Sequence, residues 1–463
     1  MARKKWGMPV VVVTGALVAG LAGCGGGEGS ASGESGKASS EKVVVASVNN
    51  GPMMTMKDLA PKFTEETGIP VEFVMLTEND IRSKIQQDVA VGSGQFDVVT
   101  LGSTDAGPYL DAGWTEPLQP LLDNMNEQEK ADYDFDDIIK PNILAYSSED
   151  KGLAALPFYG ESTMIMYRKD LFEKDGLTMP EKPTWDEIYD LAGKIKENNE
   201  GITGMAMRGK AGYGENMFIF NTIMNAYGAQ ITDENWNPQY TTDEMKAAWS
   251  FYGKLQRDTG APEATSNGYT ETLNLISSGN AGIYYDSTVS ADALESDESQ
   301  VKGKMGYAMS PSGPGKDNTQ AIGGWGVAIT ASSMNKNAAF KFITWLTSKH
   351  YVELVAEDRG WLKVPTGARR STYENPEYKA QAPFADLVLQ SLENVEFDDP
   401  AVRPTPYVGN SLPNIPEWSG LGEKLGQMLA GYISESDDTS LDNILKEAQK
   451  AAEQAFKDGG RLE

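Results

Sequence analysis

Tryptophans of this chain stand among glycines: Trp325 in Gly323-Gly324-Trp325-Gly326 and Trp361 in Gly360-Trp361. Backbone that bare gives an indole little to pack on, which suits stacking on the C–H face of a carbohydrate or polyol. Such a ligand also needs planar polar groups that saturate neighbouring hydroxyls. Glu161 in Pro157-Phe158-Tyr159-Gly160-Glu161-Ser162, Arg208 ahead of a Gly-rich loop, Asn216 after that loop and Asp286 at a strand end supply such donors and acceptors. An exposed loop charge is ordinarily only solvated; these four share positions where strands end or the chain crosses between lobes. Helical Trp249 and Trp345 read as core instead.

Competing chemistries find little support. One histidine, His350, and one cysteine, Cys24, leave no His-rich zinc site, no HExxH and no thiol–imidazole pair. His350 falls in Ala338 to Ala356, which reads as a single, mostly buried helix. Gly209-Lys210-Ala211-Gly212-Tyr213-Gly214 lacks the Gly-Lys-Ser/Thr ending of a phosphate loop. In Asp132-Tyr133-Asp134-Phe135-Asp136-Asp137 a calcium loop would need Gly at Asp137 and Glu at Ile143, so a solvated acidic loop is expected. No metal and no cofactor are expected, and no nucleophile–base pair marks an enzyme.

The amino terminus gives the setting. Arg3, Lys4 and Lys5 precede an apolar run from Met8 to Leu21, and Leu21-Ala22-Gly23 ends it immediately before Cys24. That order is a secretion signal over 1–23, too short to span a bilayer comfortably. It resembles a bacterial lipoprotein box, which implies lipidation of Cys24 and a protein secreted and held at the outer face of the cell membrane. Residues 24–42, rich in Gly, Ser, Glu and Lys, form a disordered tether with a reach of roughly 20 to 25 Å. The formal charge of −27 moves to about −30 once the signal is lost, which argues against nucleic acid or anionic lipid as a partner of the body.

The body alternates strand and helix. Val43 to Val48, Val71 to Leu76 and Phe96 to Leu101 read as strands, with helices over Met56 to Thr67 and Glu78 to Val91 between them. Thr55 with Asp58 suggests the cap of the first helix and Gly68 its stop. Such βαβ units imply a parallel sheet. Ligands bind at the carboxyl ends of parallel strands, which makes Asn50, Asp80 and Thr104 candidates, with Tyr159 beside Glu161. Further strands are expected over Ser162 to Arg168, Ala281 to Asp286, Lys304 to Met309 and Gly326 to Thr330. Helices are expected from the capping box Thr184-Trp185-Asp186-Glu187 and over Met245 to Arg257. The expected fold is α/β with two lobes, an N-terminal one of 43–157 plus 311–361 and a C-terminal one of 158–310 plus 362–463.

Several blocks carry a family resemblance: Leu156-Pro157-Phe158-Tyr159-Gly160-Glu161-Ser162, Tyr167-Arg168-Lys169-Asp170-Leu171-Phe172, Pro183-Thr184-Trp185-Asp186-Glu187, Arg208 to Met217, Thr265-Ser266-Asn267-Gly268, Tyr373 to Tyr378 and Pro404-Thr405-Pro406-Tyr407-Val408-Gly409. From about Val43 to Gln454 the chain resembles the extracellular solute-binding proteins of the maltose-binding type that serve ABC importers. The Arg208 and Pro404 blocks are similar to the sorbitol/mannitol (polyol) branch. The resemblance implies a Venus-flytrap fold hinged between lobes, a monomer that captures one polyol or sugar, and delivery to permease subunits driven by a separate ATPase. The alternatives are a surface-tethered glycoside hydrolase using paired carboxylates, or a binding lipoprotein for a non-carbohydrate solute. For Arg208→Ala and Asp286→Ala the reading expects weaker binding with folding nearly unchanged.

Overall fold

A computed structural model of the chain describes residues 42–148, 150–398, 400–409, 412–435 and 438–463. The signal, Cys24 and nearly all of the expected tether lie outside the described residues. Val43–Val48 forms strand β1, almost wholly buried as its apolar run requires. It pairs in parallel with β2 (Val71–Leu76) on one side and β3 (Val98–Gly102) on the other. The helices α1 (Gly51–Thr67) and α2 (Glu78–Val91) make the crossovers, and α3 (Ser103–Asp111) follows β3.

The first helix starts a turn before the expected cap. Asn50 accepts a hydrogen bond from the Met53 amide, and Pro52 sits in the first turn, so Asn-Gly-Pro is a stronger start than Thr55 with Asp58. Thr55 is helical, its hydroxyl donating to the Gly51 carbonyl. The stop is as expected: Gly68 is left-handed at φ 75°.

After a two-stranded ribbon of β4 (Ser147–Ser148) and β5 (Gly152–Leu153), the chain enters β6 (Leu156–Glu161), β7 (Thr163–Arg168), β8 (Thr203–Ala206), β9 (Ala281–Ser287), β10 (Met305–Met309) and β11 (Gly323–Ile329). The first sheet has the order β2-β1-β3-β11-β6 and the second β10-β7-β9-β8. The first sheet is mixed, because β11 runs antiparallel to both β3 and β6; the expected parallel arrangement holds for β1 to β3. Ser162 alone joins β6 of one sheet to β7 of the other. Its amide donates to the Thr288 hydroxyl at 3.1 Å and its carbonyl accepts from the Thr288 amide at 2.9 Å.

One face of the second sheet is covered by helices Trp185–Asn198, Asn216–Ala226, Asp243–Thr259, Trp418–Ile433 and Leu441–Asp458, around the fully buried Trp185, Trp249 and Trp418. The capping box at Thr184 forms as expected. Val364, Tyr373, Tyr378, Val388 and Phe397 belong to a core cluster that holds the first sheet together with Met164, Met166, Tyr284 and Met305 of the second. The expected helix over 338–356 is two helices, Lys336–Leu346 and Lys349–Arg359, because Ser348 caps the second by accepting from the Tyr351 amide. His350 lies on the exposed side of that second helix, 3.1 Å from Glu66.

The acidic loop also differs from expectation. Asp137 is buried and pairs with the buried Arg369 at 3.1 Å. Burial raises its pKa, but hydrogen bonds from Ser371 and Arg369 outweigh that and hold the carboxyl below its ordinary range. Among the described residues no cluster of three or more His, Cys, Asp or Glu could hold a metal, and no helix is long and apolar enough to cross a membrane.

Candidate functional site

The strand directions bring the site together. The carboxyl ends of β1, β2 and β3 lie along one edge of the first sheet, and the antiparallel β11 starts at that same edge, with Trp325 opposite Gly102 and Gly323 opposite Glu161. In the second sheet β9 ends beside the start of β7, with Ser287 opposite Thr163, while β8 ends two residues before Arg208. The Ser162 connection sets these two edges against each other.

Arg208 and Asp286 form the polar centre. Asp286 is fully buried and Arg208 nearly so. The guanidinium donates from Nε to Asp286 Oδ2 at 2.9 Å and from Nη2 to Oδ1 at 2.5 Å, and Nη1 donates to the Gly214 carbonyl at 2.8 Å. Its Cζ lies 5.0 Å from the Phe218 ring centroid and 4.9 Å from that of Tyr269. Burial lowers the arginine's pKa, but the Asp286 carboxylate more than reverses this, so the group is charged at any working pH. The next residue, Ser287, donates its hydroxyl to Glu161 Oε2 at 2.6 Å across the crossing between sheets. A buried, charge-fixed donor and acceptor pair beside a carboxylate is suited to vicinal hydroxyls, each of which donates one proton and accepts another.

Tyr159 stands on β6 two residues before Glu161, and Asn50 Nδ2 donates to its hydroxyl at 3.0 Å while Asn50 Oδ1 caps α1. Trp325 is buried on β11. The glycines around it serve strand packing more than exposure: Gly324 holds φ 114°, and a Cβ there would collide with the Tyr159 carbonyl. Thr104 is buried in the first turn of α3. These residues, with Glu161, Arg208 and Asp286, gather at the facing edges.

Three further candidates are engaged in local contacts. Asn216 is fully buried at the start of a helix that is buried throughout; it accepts from the Gly212 amide at 3.3 Å and donates to the Gly426 carbonyl at 2.8 Å, tying the Gly-rich loop to helix Trp418–Ile433. Asp80 is exposed and bonds Thr77 in the opening turn of α2. Trp361 is part-buried against the first core cluster and spends its indole N–H on Glu377 at 2.8 Å. In each case a polar or aromatic residue near a glycine or a helix start serves local structure, which residue type alone does not distinguish from ligand contact.

Other groups at these edges carry little signal in the sequence. Arg82 of α2 pairs with Asp105 of α3, and its guanidinium carbon lies 4.9 Å from the Trp325 ring centroid and 5.2 Å from that of Tyr213. Tyr109, close to Arg82 and Tyr213, has its phenol pushed up to about 12 by burial and stays neutral. Arg82 neighbours the apolar stripe Ile81, Ile85 and Val89, where an arginine reads as a solvated flank. Tyr213 lies inside the Gly-rich loop already singled out.

Two α/β sheets facing each other across a short crossing, with a charged and aromatic cluster between their edges, define a two-lobed binding protein of the periplasmic type. The chain belongs to the bacterial extracellular solute-binding protein family, whose pattern matches residues 48–353. A mannitol-binding protein of Pseudomonas aeruginosa is 37% identical over 422 residues, covering 91% of this chain and 94% of the relative. An ABC transporter solute-binding protein of Agrobacterium vitis S4, solved with bound D-mannitol, is 41% identical with a TM-score of 0.84, covering 91% of this chain and 99% of its own. Maltose-bound MalE3 of T. maritima shares the fold at 23% identity and a TM-score of 0.73, covering 89% and 99%.

Proposed function

We propose that this chain captures an acyclic polyol, with D-mannitol the first candidate, between its lobes and presents it to the permease of an ABC importer. The observation that carries this reading is the buried Arg208–Asp286 pair joined through Ser287 to Glu161, because it offers fixed donors and acceptors from both sheet edges at one point. The mannitol relatives support the ligand class. In this reading Glu161, Arg208 and Asp286 bond hydroxyls, Tyr159, Asn50 and Thr104 flank them, and Trp325 gives the apolar face. The lobes are the units built on the two sheets, meeting at Ser162 and again between Met309 and Gly323. A ligand that touches both lobes favours the closed form, which the permease then recognises.

Mannitol at 100 times its Kd should add about 2.7 kcal/mol to folding stability and leave the protein chemically unchanged. A thermal-shift panel of mannitol, ribitol and maltose, with NMR of the recovered ligand, checks both points. A flat panel sinks the polyol reading, and turnover sinks the binding-protein reading.

The proposal includes an anchor. Cys24, directly after a small-residue cleavage site, carries a diacylglyceryl group and holds the body at the outer face of the cell membrane. Cys24→Ala should move the protein from the membrane fraction to the medium or leave it unprocessed; a variant still membrane-bound and correctly cut would refute lipidation.

A further inference from the structure

One guanidinium in this protein reaches aromatic rings of both lobes. Arg82 is rooted on α2, beside the first sheet, and is largely withdrawn from solvent, with its side chain 18% exposed. Trp325 belongs to β11 of that sheet, and the guanidinium carbon lies 4.9 Å from its ring centroid. Tyr213 belongs to the other lobe: it follows β8, and its Cβ packs over Gly422 of helix Trp418–Ile433. The same guanidinium carbon is 5.2 Å from the Tyr213 centroid. Asp105 pairs with Arg82 from the first-lobe side and so fixes its aim.

We propose that Arg82 is a positioning residue that holds the lobes together through the Tyr213 ring, biasing the protein toward closure before any ligand arrives. The contact with Trp325 lies within one lobe and persists in every state; the contact with Tyr213 crosses the cleft and is lost on opening. Partly desolvated cation–π contacts are strong enough to shift such an equilibrium severalfold. Because the open form releases ligand, the latch acts on dissociation, and capture by the open form is little affected. This inference rests on the solute-binding reading only in its ligand-exchange arm; the ligand-free arm is independent of what is bound.

The test uses the full chain in a Cys24→Ser background, with fluorophores on cysteines introduced at the exposed Glu65 and Lys194, one on each lobe. Tyr213→Leu should lower energy transfer in the ligand-free protein and raise the mannitol dissociation rate about five- to tenfold, with the association rate within about twofold. Tyr213→Phe, which keeps the ring, should behave as the parent. Arg82→Gln combined with Tyr213→Leu should be no worse than the more damaging single change, since both remove one contact. The latch is overturned if Tyr213→Phe matches Tyr213→Leu, if the two substitutions add fully, or if ligand-free energy transfer does not move in Tyr213→Leu. Absence of mannitol binding in the parent would instead sink the proposed function, and the energy-transfer arm would still decide the latch.

Discussion

Arg208→Ala is expected to lose both ligand binding and about 3 to 5 kcal/mol of folding stability. From the sequence alone folding is expected to survive this change, because cleft residues contribute little to the core. The geometry reverses that expectation. Asp286 is fully buried, and its partner supplies two nitrogens at 2.5 and 2.9 Å, so truncating the arginine strands a carboxylate away from water. The Phe218 and Tyr269 rings also lose the cation that covers them. Urea unfolding measures the stability term and calorimetry the binding term. Pairing Arg208→Met with Asp286→Leu should restore most of the stability and none of the binding, since apolar replacement of a buried ion pair is often neutral or better. Arg208→Ala within about 1 kcal/mol of the parent would show that water reaches Asp286 and that the pair is not a buried one.

Trp249→Ala should cost a similar amount, about 3 to 5 kcal/mol, while leaving the affinity of whatever protein remains folded unchanged. Trp249 is fully buried in the second core cluster, edge-on to Phe220 at 5.5 Å and 6.2 Å from Tyr432. Its indole N–H has no hydrogen-bond partner among the described residues, so the loss is one of packing. Trp249→Phe should therefore recover much of the deficit. A large change in mannitol affinity in the folded fraction would contradict the assignment of this tryptophan to the scaffold.

The contrast between Trp249 and Trp361 shows how far residue patterns reach. Helical spacing marks Trp249 as core because a period of 3.6 is set by local geometry, and the strands around Val43, Val71, Ile165 and Tyr284 are legible for the same reason. The pairing of Arg208 with Asp286 was foreseeable only as two residues at strand ends; that they bond each other depends on β8 lying beside β9, a contact between segments 78 residues apart. Trp361 follows a glycine and Asn216 the Gly-rich loop, and both read as site residues; each is also engaged by a partner elsewhere in the chain, Asn216 by the Gly426 carbonyl and Trp361 by Glu377. Arg82 was not legible at all. Its place is decided by Asp105, Trp325 and Tyr213, which come from three separate stretches of sequence.

In the proposed closure the one-residue passage from β6 to β7 would act as an axle. Ser162 has no slack, and Thr288 grips it at both amide and carbonyl, so the lobes turn about this line more easily than they slide along it. A bond contributes torque in proportion to its distance from the axle. In the proposed reading, ligand contacts with Glu161, next to Ser162, would be made almost on it and exert little leverage on the lobes, however tightly they grip a hydroxyl. Arg82 is rooted on α2, but its guanidinium reaches over the end of β3 at Gly102 and onto Trp325 of β11, the strand beside β6. The proposed hold on Tyr213 is therefore applied only one or two strand spacings, roughly 5 to 10 Å, from the axle. A latch so near the axle would set whether the lobes meet, while the outer end of a bound ligand, farther from that line, would have the greater leverage in drawing the rims together.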